Sequence, residues 1–367
     1  MYCTIDRNIL LRSLQYIVNI LKGRMTLPIL NNILLEIKND RLYLISTDLE
    51  VEMIAIINLS SESQSGLIAV AGRKLFDICR ALPERVNIFL HLQQDRLLIR
   101  SEHSSFLLST IRGSDFPNLE NYDYEVECII QKQMLKKLIE STYFSMSNQD
   151  VRYCLNGMLF EIFEKKIRTV ATDGHRLALC TIPIDALFTS FYSIIIPRKG
   201  VFEILRMLGN KENQVKLQIS NHSIRVGLSN YILTSKLIDV SFPDYHCVFP
   251  EEPFNIFEVE RKILQEACTR IAILSNERFH GIRLFLSLNK LKITANNSIY
   301  EEAEETIDVV YQNDEIEIGF NVNYLLDVLN IIKSQNVKFF IKDELSSVKI
   351  ESCSDKTCIY FIMPMKL

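Results

Sequence analysis

Two periods of apolar residues alternate along the first third of the chain. NILLRSLQYIVNIL at 8–21 places apolar residues three and four positions apart, which predicts an amphipathic helix. The segments after it, such as RLYLIS at 41–46, alternate apolar and polar residues, which predicts strands. The same order of strand, helix and three strands begins again at GLIAVAG, 66–72. Antiparallel sheets packed on helices indicate an α+β fold.

The chain also repeats itself at a period of roughly 125 residues. TDLEVEM at 47–53 corresponds to TDGHRLA at 172–178, and Phe76 of the second helix corresponds to Phe202. LLDVLNII at 325–332 belongs to a third, fainter copy. Three copies, each with two strand–helix–strand–strand–strand halves, fill the chain and leave no room for a separate catalytic domain. We therefore predict three tandem domains of one kind, at residues 1–124, 125–250 and 251–367.

Composition adds few constraints. The chain has 367 residues, of which 48% are hydrophobic and 23% charged, as in ordinary globular proteins. We find no apolar run long enough to span a membrane and no signal-peptide pattern at the N-terminus. Nine scattered cysteines, without a CxxC pair, predict reduced core thiols in a cytoplasmic protein, and no metal or cofactor site.

The charge is distributed unevenly. Six predicted helices with their flanking residues contain 21 Lys and Arg against 8 Asp and Glu, whereas the rest of the chain contains 20 against 37. These windows are 7–24, 73–85, 131–152, 198–211, 260–270 and 323–338. Helices accept Glu as readily as Lys, so this bias predicts a basic helical surface that attracts phosphates.

Geometry suggests what such a surface would face. A domain of roughly 120 residues is about 35 Å across. Six such domains in a ring leave a hole of about the same width, and duplex DNA is roughly 20 Å wide. Two chains of three domains are therefore consistent with a ring around DNA, although triplication alone does not require one.

Several motifs together resemble one family. VATDGHRLAL in the second copy, NNILLEI in the first, FPDY after the second and the terminal MPMKL are similar to the sliding clamp, the β subunit of bacterial DNA polymerase III. VRYCLNGMLFE, IIPRKGVFEILRML, AILSNERFHGIRL and ITANN extend the resemblance from end to end. It implies a head-to-tail homodimeric ring with helices inside and sheets outside, which tethers the polymerase for processive synthesis. No catalytic activity is implied.

The resemblance also implies a groove for short peptides from the polymerase, the clamp loader, other polymerases and repair proteins. The matching positions are Leu155, Thr172, Gly174, His175, Arg176, Leu177, Pro243, Val248, Phe279, Asn321, Tyr324, Leu345, Ser347, Phe361, Met363, Pro364 and Met365. Soft methionines near the C-terminus suit several partner sequences. His246-Cys247 departs from the family, which usually has basic residues there, so we expect no charged contact at that point.

The residues around Asp173 leave two other interpretations open. A hydrolase centred on Asp173 and His175 would need a nucleophile or metal beside the histidine. A purely structural hairpin is the second. Because Thr-Asp is shared by both copies, we expect it to shape the turn, while Gly-His-Arg carries whatever is specific to the second copy.

DNA contact and ring closure follow from the same resemblance. It places Arg24, Arg73, Gln149, Tyr153 and Cys154 on DNA. Double-stranded DNA would be held through phosphates and stacking, without sequence readout. The ring would close through Lys74, Phe106, Leu108, Ile273 and Leu274, with Lys74 opposite an acid. Tyr153 and the apolar interface residues are equally consistent with core positions, and a scaffold that never encircles DNA remains an alternative.

Overall fold

The computed structural model describes residues 1–21, 27–117, 123–209, 212–252 and 254–366. The first copy contains β1 Tyr2–Asp6, α1 Arg7–Ile20, β2 Asn32–Lys38, β3 Arg41–Thr47, β4 Val51–Asn58, β5 Gly66–Ala71, α2 Gly72–Ala81, β6 Asn87–Gln93, β7 Arg96–Ser101 and β8 Ser104–Arg112. The second contains β9 Val126–Gln131, α3 Lys132–Glu140, β10 Gly157–Thr172, β11 Arg176–Pro197, α4 Arg198–Met207, β12 Gln214–Ile219, β13 Ser223–Leu228 and β14 Tyr231–Lys236. The third contains β15 Asn255–Glu260, α5 Arg261–Ala272, β16 Gly281–Ser287, β17 Lys290–Asn296, β18 Glu302–Asp308, β19 Ile316–Asn321, α6 Val322–Ile331, β20 Asn336–Ile341, β21 Val348–Ser352 and β22 Cys358–Ile362.

The first and third copies follow the predicted order, and the α+β class with mostly antiparallel sheets is confirmed. The second copy differs because its two longest strands each contain two segments. Residues 157–162 pair with 192–197, and 166–172 pair with 177–183. Glu164, with φ of 50°, lies between the segments of β10. Thus the predicted strand positions are present, but four of them are joined into two long strands.

One predicted helical window is longer than the helix it contains. The window 131–152 holds α3, which ends at Glu140. Thr142 Oγ1 donates to the Leu138 carbonyl at 2.8 Å, a bond by which a threonine side chain satisfies a helix terminus. Two short 3₁₀ turns, at Tyr143–Ser145 and Tyr153–Asn156, lie between the end of α3 and the start of β10.

The chain divides into two compact units, and the second copy contributes to both. Unit 1, residues 1–133 and 199–237, holds a twelve-stranded sheet in the order β1-β6-β7-β8-β5-β2-β3-β4-β14-β13-β12-β9. Helix α1 buries Leu10, Leu14 and Ile17, and packs on β3 and β4. Buried Arg7 donates to the Cys79 carbonyl at 2.8 Å, which joins the start of α1 to the end of α2.

Unit 2, residues 134–198 and 238–367, holds two sheets. Their orders are β10-β11-β22-β21-β20-β15 and β18-β17-β16-β19. Phe257 and Phe339 stack at 4.5 Å in its core. The six-stranded sheet brings β11 of the second copy next to β22, the last strand of the chain, and this pairing positions the candidate site.

Candidate functional site

The turn between β10 and β11 is built from its own side chains. Thr172 Oγ1 donates to the Arg176 carbonyl at 2.6 Å and accepts from the Gly174 amide at 3.0 Å. Asp173 Oδ1 accepts from the amides of His175 at 2.9 Å and Arg176 at 3.0 Å. Gly174 has φ of 90°, a conformation that glycine adopts without steric cost. Thr-Asp therefore shapes the turn, as predicted.

Arg176 fixes this turn to the surrounding structure. Its guanidinium donates to Asp173 at 3.0 Å, to Asp327 of α6 at 2.5 Å and to the Phe144 carbonyl at 2.7 Å. It also lies 4.5 Å from the ring centroid of Tyr324, a cation–π distance. Only 11% of the Arg176 side chain is exposed, so it is a buried connector and not a free recognition group.

His175, unlike Arg176, has an exposed side chain. Its ring stacks on Tyr324 at 6.5 Å between ring centroids. The Asp173 carboxylate is occupied by backbone amides and Arg176, so it serves as a turn cap rather than as an acid that orients the histidine. Burial and the nearby Asp173 carboxylate raise the pKa of Tyr324, which keeps it a neutral stacking partner.

The C-terminal tail is held beside this turn at two points. Leu177 of β11 lies opposite Phe361 of β22. Beyond the end of β22, the Met363 amide donates to the His175 carbonyl at 2.8 Å. Two residues further, the Met365 amide donates to Gly319 at 2.9 Å. Pro364 lies between them without an amide hydrogen, and the tail is thereby docked rather than frayed.

Beneath the tail is an apolar floor. Leu177 and Phe361, each 2% exposed, belong to a buried cluster with Leu159, Val170, Leu179, Ile195 and Tyr245. Cys154 and Val248 are partly buried and pack against this cluster. Phe249 stacks on Phe361 at 4.7 Å between ring centroids. The predicted groove residues in this cluster are therefore buried beneath the C-terminal tail and contribute little to the exposed surface.

The remaining predicted groove residues divide by exposure. Phe279, Leu345 and Met363 are large apolar side chains with 53%, 70% and 39% exposure. Pro243 is also exposed, whereas Leu155 and Thr172 are buried. Asn321 and Ser347 instead form hydrogen bonds with backbone groups. Asn321 caps α6 by accepting from the Asn323 amide, and Ser347 donates to the Val248 carbonyl at 2.5 Å.

The segment that departs from the family is locally ordered by Asp244. Its carboxylate accepts from the His246 amide and lies 3.0 Å from the His246 ring nitrogen. These contacts with His246 hold the pKa of Asp244 below its usual value. The His246 ring stacks on Tyr245 at 4.3 Å between ring centroids. This chain therefore offers an aromatic ring at the position where the family usually has a basic residue.

Three contributors were missed by the sequence analysis. Arg152 places its guanidinium 3.0 Å from where a side-chain carbon on Gly174 would lie, but its exposed end can move, so the φ of 90° is the stronger reason for glycine there. The hydrogen bonds from Arg152 lower the pKa of Asp150 to about 2. Asp327 binds Arg176, and Phe249 covers Phe361. We find no signal for any of the three in the sequence, because each contact joins segments that only the fold brings together.

The predicted DNA contacts differ in exposure. Arg24 lies outside the described residues. Arg73 is exposed and donates to the Leu21 carbonyl at 3.3 Å, at the end of α1. Gln149 is exposed with φ of 61°, and Tyr153 is 73% exposed, which excludes the core alternative for this tyrosine. Cys154 instead packs against the apolar cluster.

The predicted interface residues are at the surface of their units. In unit 1, Lys74 is exposed on α2, Phe106 of β8 is 36% exposed and Leu108 is half-buried. β5 pairs with residues 110–112 of β8, while 104–109 pair with β7 on one side. In unit 2, Ile273 is 78% exposed at the end of α5, and Leu274 is half-buried.

Known proteins are similar to this chain over its full length. Sequence profiles of the N-terminal, central and C-terminal domains of the DNA polymerase III beta subunit match residues 1–120, 129–244 and 246–366. The beta sliding clamps of Salmonella typhimurium and Escherichia coli K12 are each 50% identical over 364 residues, 99% of either chain. A crystal structure of the DNA polymerase sliding clamp from Pseudomonas aeruginosa with ligand is 42% identical, covers 100% of both chains and superposes with a TM-score of 0.98.

The three matched segments follow one another along the chain as the sequence repeat does, and the likeness extends from sequence to coordinates. The resemblance inferred from the motifs is confirmed: this chain belongs to the family of the DNA polymerase III beta subunit, the sliding clamp.

Proposed function

We propose that two copies of this chain close head to tail into a ring around duplex DNA and tether DNA polymerase III to its template. Membership of the family makes the chain a non-catalytic processivity subunit in DNA replication. The observation that carries the ring is the pair of exposed apolar edges, Phe106 on β8 and Ile273 beside α5, on different units. We propose the three domains as 1–124, 125–250 and 251–367.

The two edges are complementary in charge as well as apolar. Around β8, Arg96 and Arg100 lie on the adjacent strand β7. β18 stands at the end of its four-stranded sheet and carries Glu302, Glu304 and Glu305. Glu304 pairs with Lys292 and Glu305 with Arg270 in the same unit, so exposed Glu302 is the acid that we propose to face the arginines. A strand edge with open backbone groups invites pairing with another strand. Pairing of β8 with β18 of a second copy would satisfy both edges, and two such contacts close a ring.

Retention on DNA would then be topological. Exposed Arg73 and Gln149, with Arg24, would meet phosphates, and Tyr153 would stack on a base or sugar near a primer end. Phosphate contacts carry no sequence information, and weak contacts of this kind permit sliding. We place this activity in the cytoplasm; among the described residues, no helix is long and apolar enough to span a membrane.

The partner groove is proposed around His175, Met363 and the apolar floor beneath them. A crystal structure of a sliding clamp from Pseudomonas aeruginosa bound to griselimycin is 42% identical to this chain and superposes with a TM-score of 0.97. Here we propose short peptides of the polymerase, the clamp loader and repair proteins as ligands. Their apolar side chains would contact Phe279, Leu345 and Met363, the exposed members of the predicted set.

The decisive experiment separates topological from ordinary DNA binding. Fluorescent protein is assembled on a nicked circular plasmid with a bacterial clamp loader and ATP, then separated by gel filtration before and after restriction cleavage. We expect co-elution with circular DNA and release on linearisation. Protein that stays bound to the linear product would overturn the ring.

A matched pair of variants tests the interface. Ile273→Asp places a charge at the proposed junction, and Ile256→Asp places one on β15, where Ile256 is 44% exposed. Light scattering should give twice 42.6 kDa for the parent and Ile256→Asp, and a monomer for Ile273→Asp. A dimer that survives Ile273→Asp at nanomolar concentration would place the junction elsewhere.

A further inference from the structure

Two cysteines lie side by side between β11 and β22. Cys180 and Cys358 are opposite one another in register, and their Sγ atoms are 2.9 Å apart. Cys180 is 0% exposed and Cys358 is 6% exposed. Neither thiol has a part in the DNA, interface or peptide surfaces proposed above, and both are reduced in the structure.

The backbone around the pair has the geometry that a disulfide requires. The Thr181 amide donates to Thr357 at 2.8 Å, and the Met363 amide donates to His175. Hydrogen-bonded positions alternate in an antiparallel ladder, so Cys180 and Cys358 form a non-hydrogen-bonded pair. Cα atoms at such positions are about 4.5 Å apart, within the range of about 4.4–6.8 Å that a disulfide spans.

The surroundings also favour a reactive sulfur at Cys358. The hydrogen bond that the Cys180 thiol donates to Cys358, with the Ser141 and Thr357 hydroxyls, lowers the pKa of Cys358, and the same bond raises the pKa of Cys180. Burial instead raises the pKa of Cys268 to about 12. The thiolate is the nucleophilic form of cysteine, so Cys358 differs from an inert core thiol.

We propose that Cys180 and Cys358 are an oxidant-responsive pair that forms a disulfide between β11 and β22 when the folded protein meets hydrogen peroxide. The Cys358 thiolate attacks one peroxide oxygen, the O–O bond breaks, and the departing hydroxide takes a proton and leaves as water. Cys180 then attacks the resulting sulfenic sulfur, forming the S–S bond and releasing a second water. The two thiols lose two electrons and two protons, and peroxide is reduced to two waters.

The bond would join the second copy to the last strand of the chain, residues 178 positions apart in sequence. Closing so long a loop restricts the unfolded chain strongly. β22 leads directly into the docked tail, so its pairing with β11 would be locked while the thiols are oxidised. In a reducing cytoplasm the pair is open, and thiol–disulfide exchange with a small thiol reopens it.

The test uses the full-length protein and is independent of DNA or partner binding. Folded protein is treated with hydrogen peroxide, alkylated and digested without reduction. We expect a peptide that links Cys180 to Cys358, a mass lower by about 2 Da for the lost hydrogens, and reversal by dithiothreitol. The midpoint of thermal unfolding should rise on oxidation and fall back on reduction.

Variants separate this pair from the other thiols. Cys358→Ala should abolish the cross-link and the rise in midpoint, whereas Cys268→Ala, at an equally buried thiol, should leave both unchanged. Cys180 and Cys358 that stay reduced while exposed Cys247 is oxidised would overturn the proposal, as would a cross-link that forms only in urea.

Discussion

Residues 47–51 of the first copy and 172–176 of the second fold through the same hydrogen bonds. Thr47 Oγ1 donates to the Val51 carbonyl and accepts from the Leu49 amide, as Thr172 does with Arg176 and Gly174. Asp48 and Asp173 each accept from the amides two and three residues further along the chain. The segment that packs beside each turn is also held by an equivalent backbone hydrogen bond. The Lys236 amide donates to the Glu50 carbonyl at 2.8 Å, and the Met363 amide donates to the His175 carbonyl at 2.8 Å.

The two turns differ in what they present on this common backbone. The first copy has Glu50 beside Lys236, two charged side chains that remain in water. The second has His175 beside Met363, an aromatic ring and a soft apolar chain. The comparison teaches that the repeat fixes the shape of the turn, while a few side chains decide whether it can bind an apolar peptide.

Among the changes to these two turns, removal of Arg176 should lower the stability of the protein most. Arg176→Ala leaves Asp173, with 15% of its side chain exposed, and Asp327, with 42% exposed, without their shared partner, and we expect a loss of about 2.5 kcal/mol of stability. Arg80→Ala removes a pair with Asp77 in which both side chains are more than half exposed, and it should cost less than about 1 kcal/mol. Thermal unfolding of both variants checks this, and equal midpoints would mean that Arg176 is not the connector.

Exchange of the surface residues should transfer the character of one turn to the other. His175→Glu with Met363→Lys gives the second copy the side chains of the first. We expect a loss of peptide affinity of about 30-fold, or about 2 kcal/mol, with an unchanged unfolding midpoint. Fluorescence anisotropy with a labelled polymerase peptide measures it, and Glu50→Gln with Lys236→Gln is the control. Affinity equal to the parent would place the groove elsewhere.

Substitutions at the two positions with positive φ should change stability by smaller amounts and in opposite directions. Leu49 has φ of 76°, and Gly174 has φ of 90°. Gly174→Ala should destabilise by about 1.5 kcal/mol, since a side chain is disfavoured there and would meet Arg152. Leu49→Asn should stabilise by about 0.5 kcal/mol, because asparagine tolerates this conformation. Urea unfolding checks the signs; a destabilising Leu49→Asn would show that packing of the leucine outweighs its strain.

The sequence predicted these turns well because the repeat supplied an internal control. Thr and Asp occur in both copies, and the hydrogen bonds by which they shape the turns reach no further than four residues, so this role was readable locally. The connection from Arg176 to Asp327 spans 151 positions and depends on how α6 meets β11, which no periodicity encodes. For the same reason, the pairing of β11 with β22 and the contact of Cys180 with Cys358 could not be predicted.

The count of charges by window overstates the positive charge that the helices leave unpaired. Lys199 is bound by Asp48, Lys137 by Asp355 at 2.6 Å and Arg270 by Glu305 at 2.5 Å. Counting residues by window treats these cations as free, whereas the fold partners them with acids from outside the helices. The surplus available to phosphates is therefore smaller than the composition of the helices suggests, and single exposed residues such as Arg73 gain importance.

The second copy is divided between the two compact units, since β12–β14 join the sheet of the first copy and β10 and β11 join β22 of the third. The unit that duplicated is thus not the unit that folds. Excising one copy would uncover hydrogen-bonding edges on strands at both of its ends, and we expect an isolated middle copy to aggregate. The three copies are therefore repeats in sequence but not independent modules, and we expect that removing or exchanging one copy would disrupt the sheets that it shares with its neighbours.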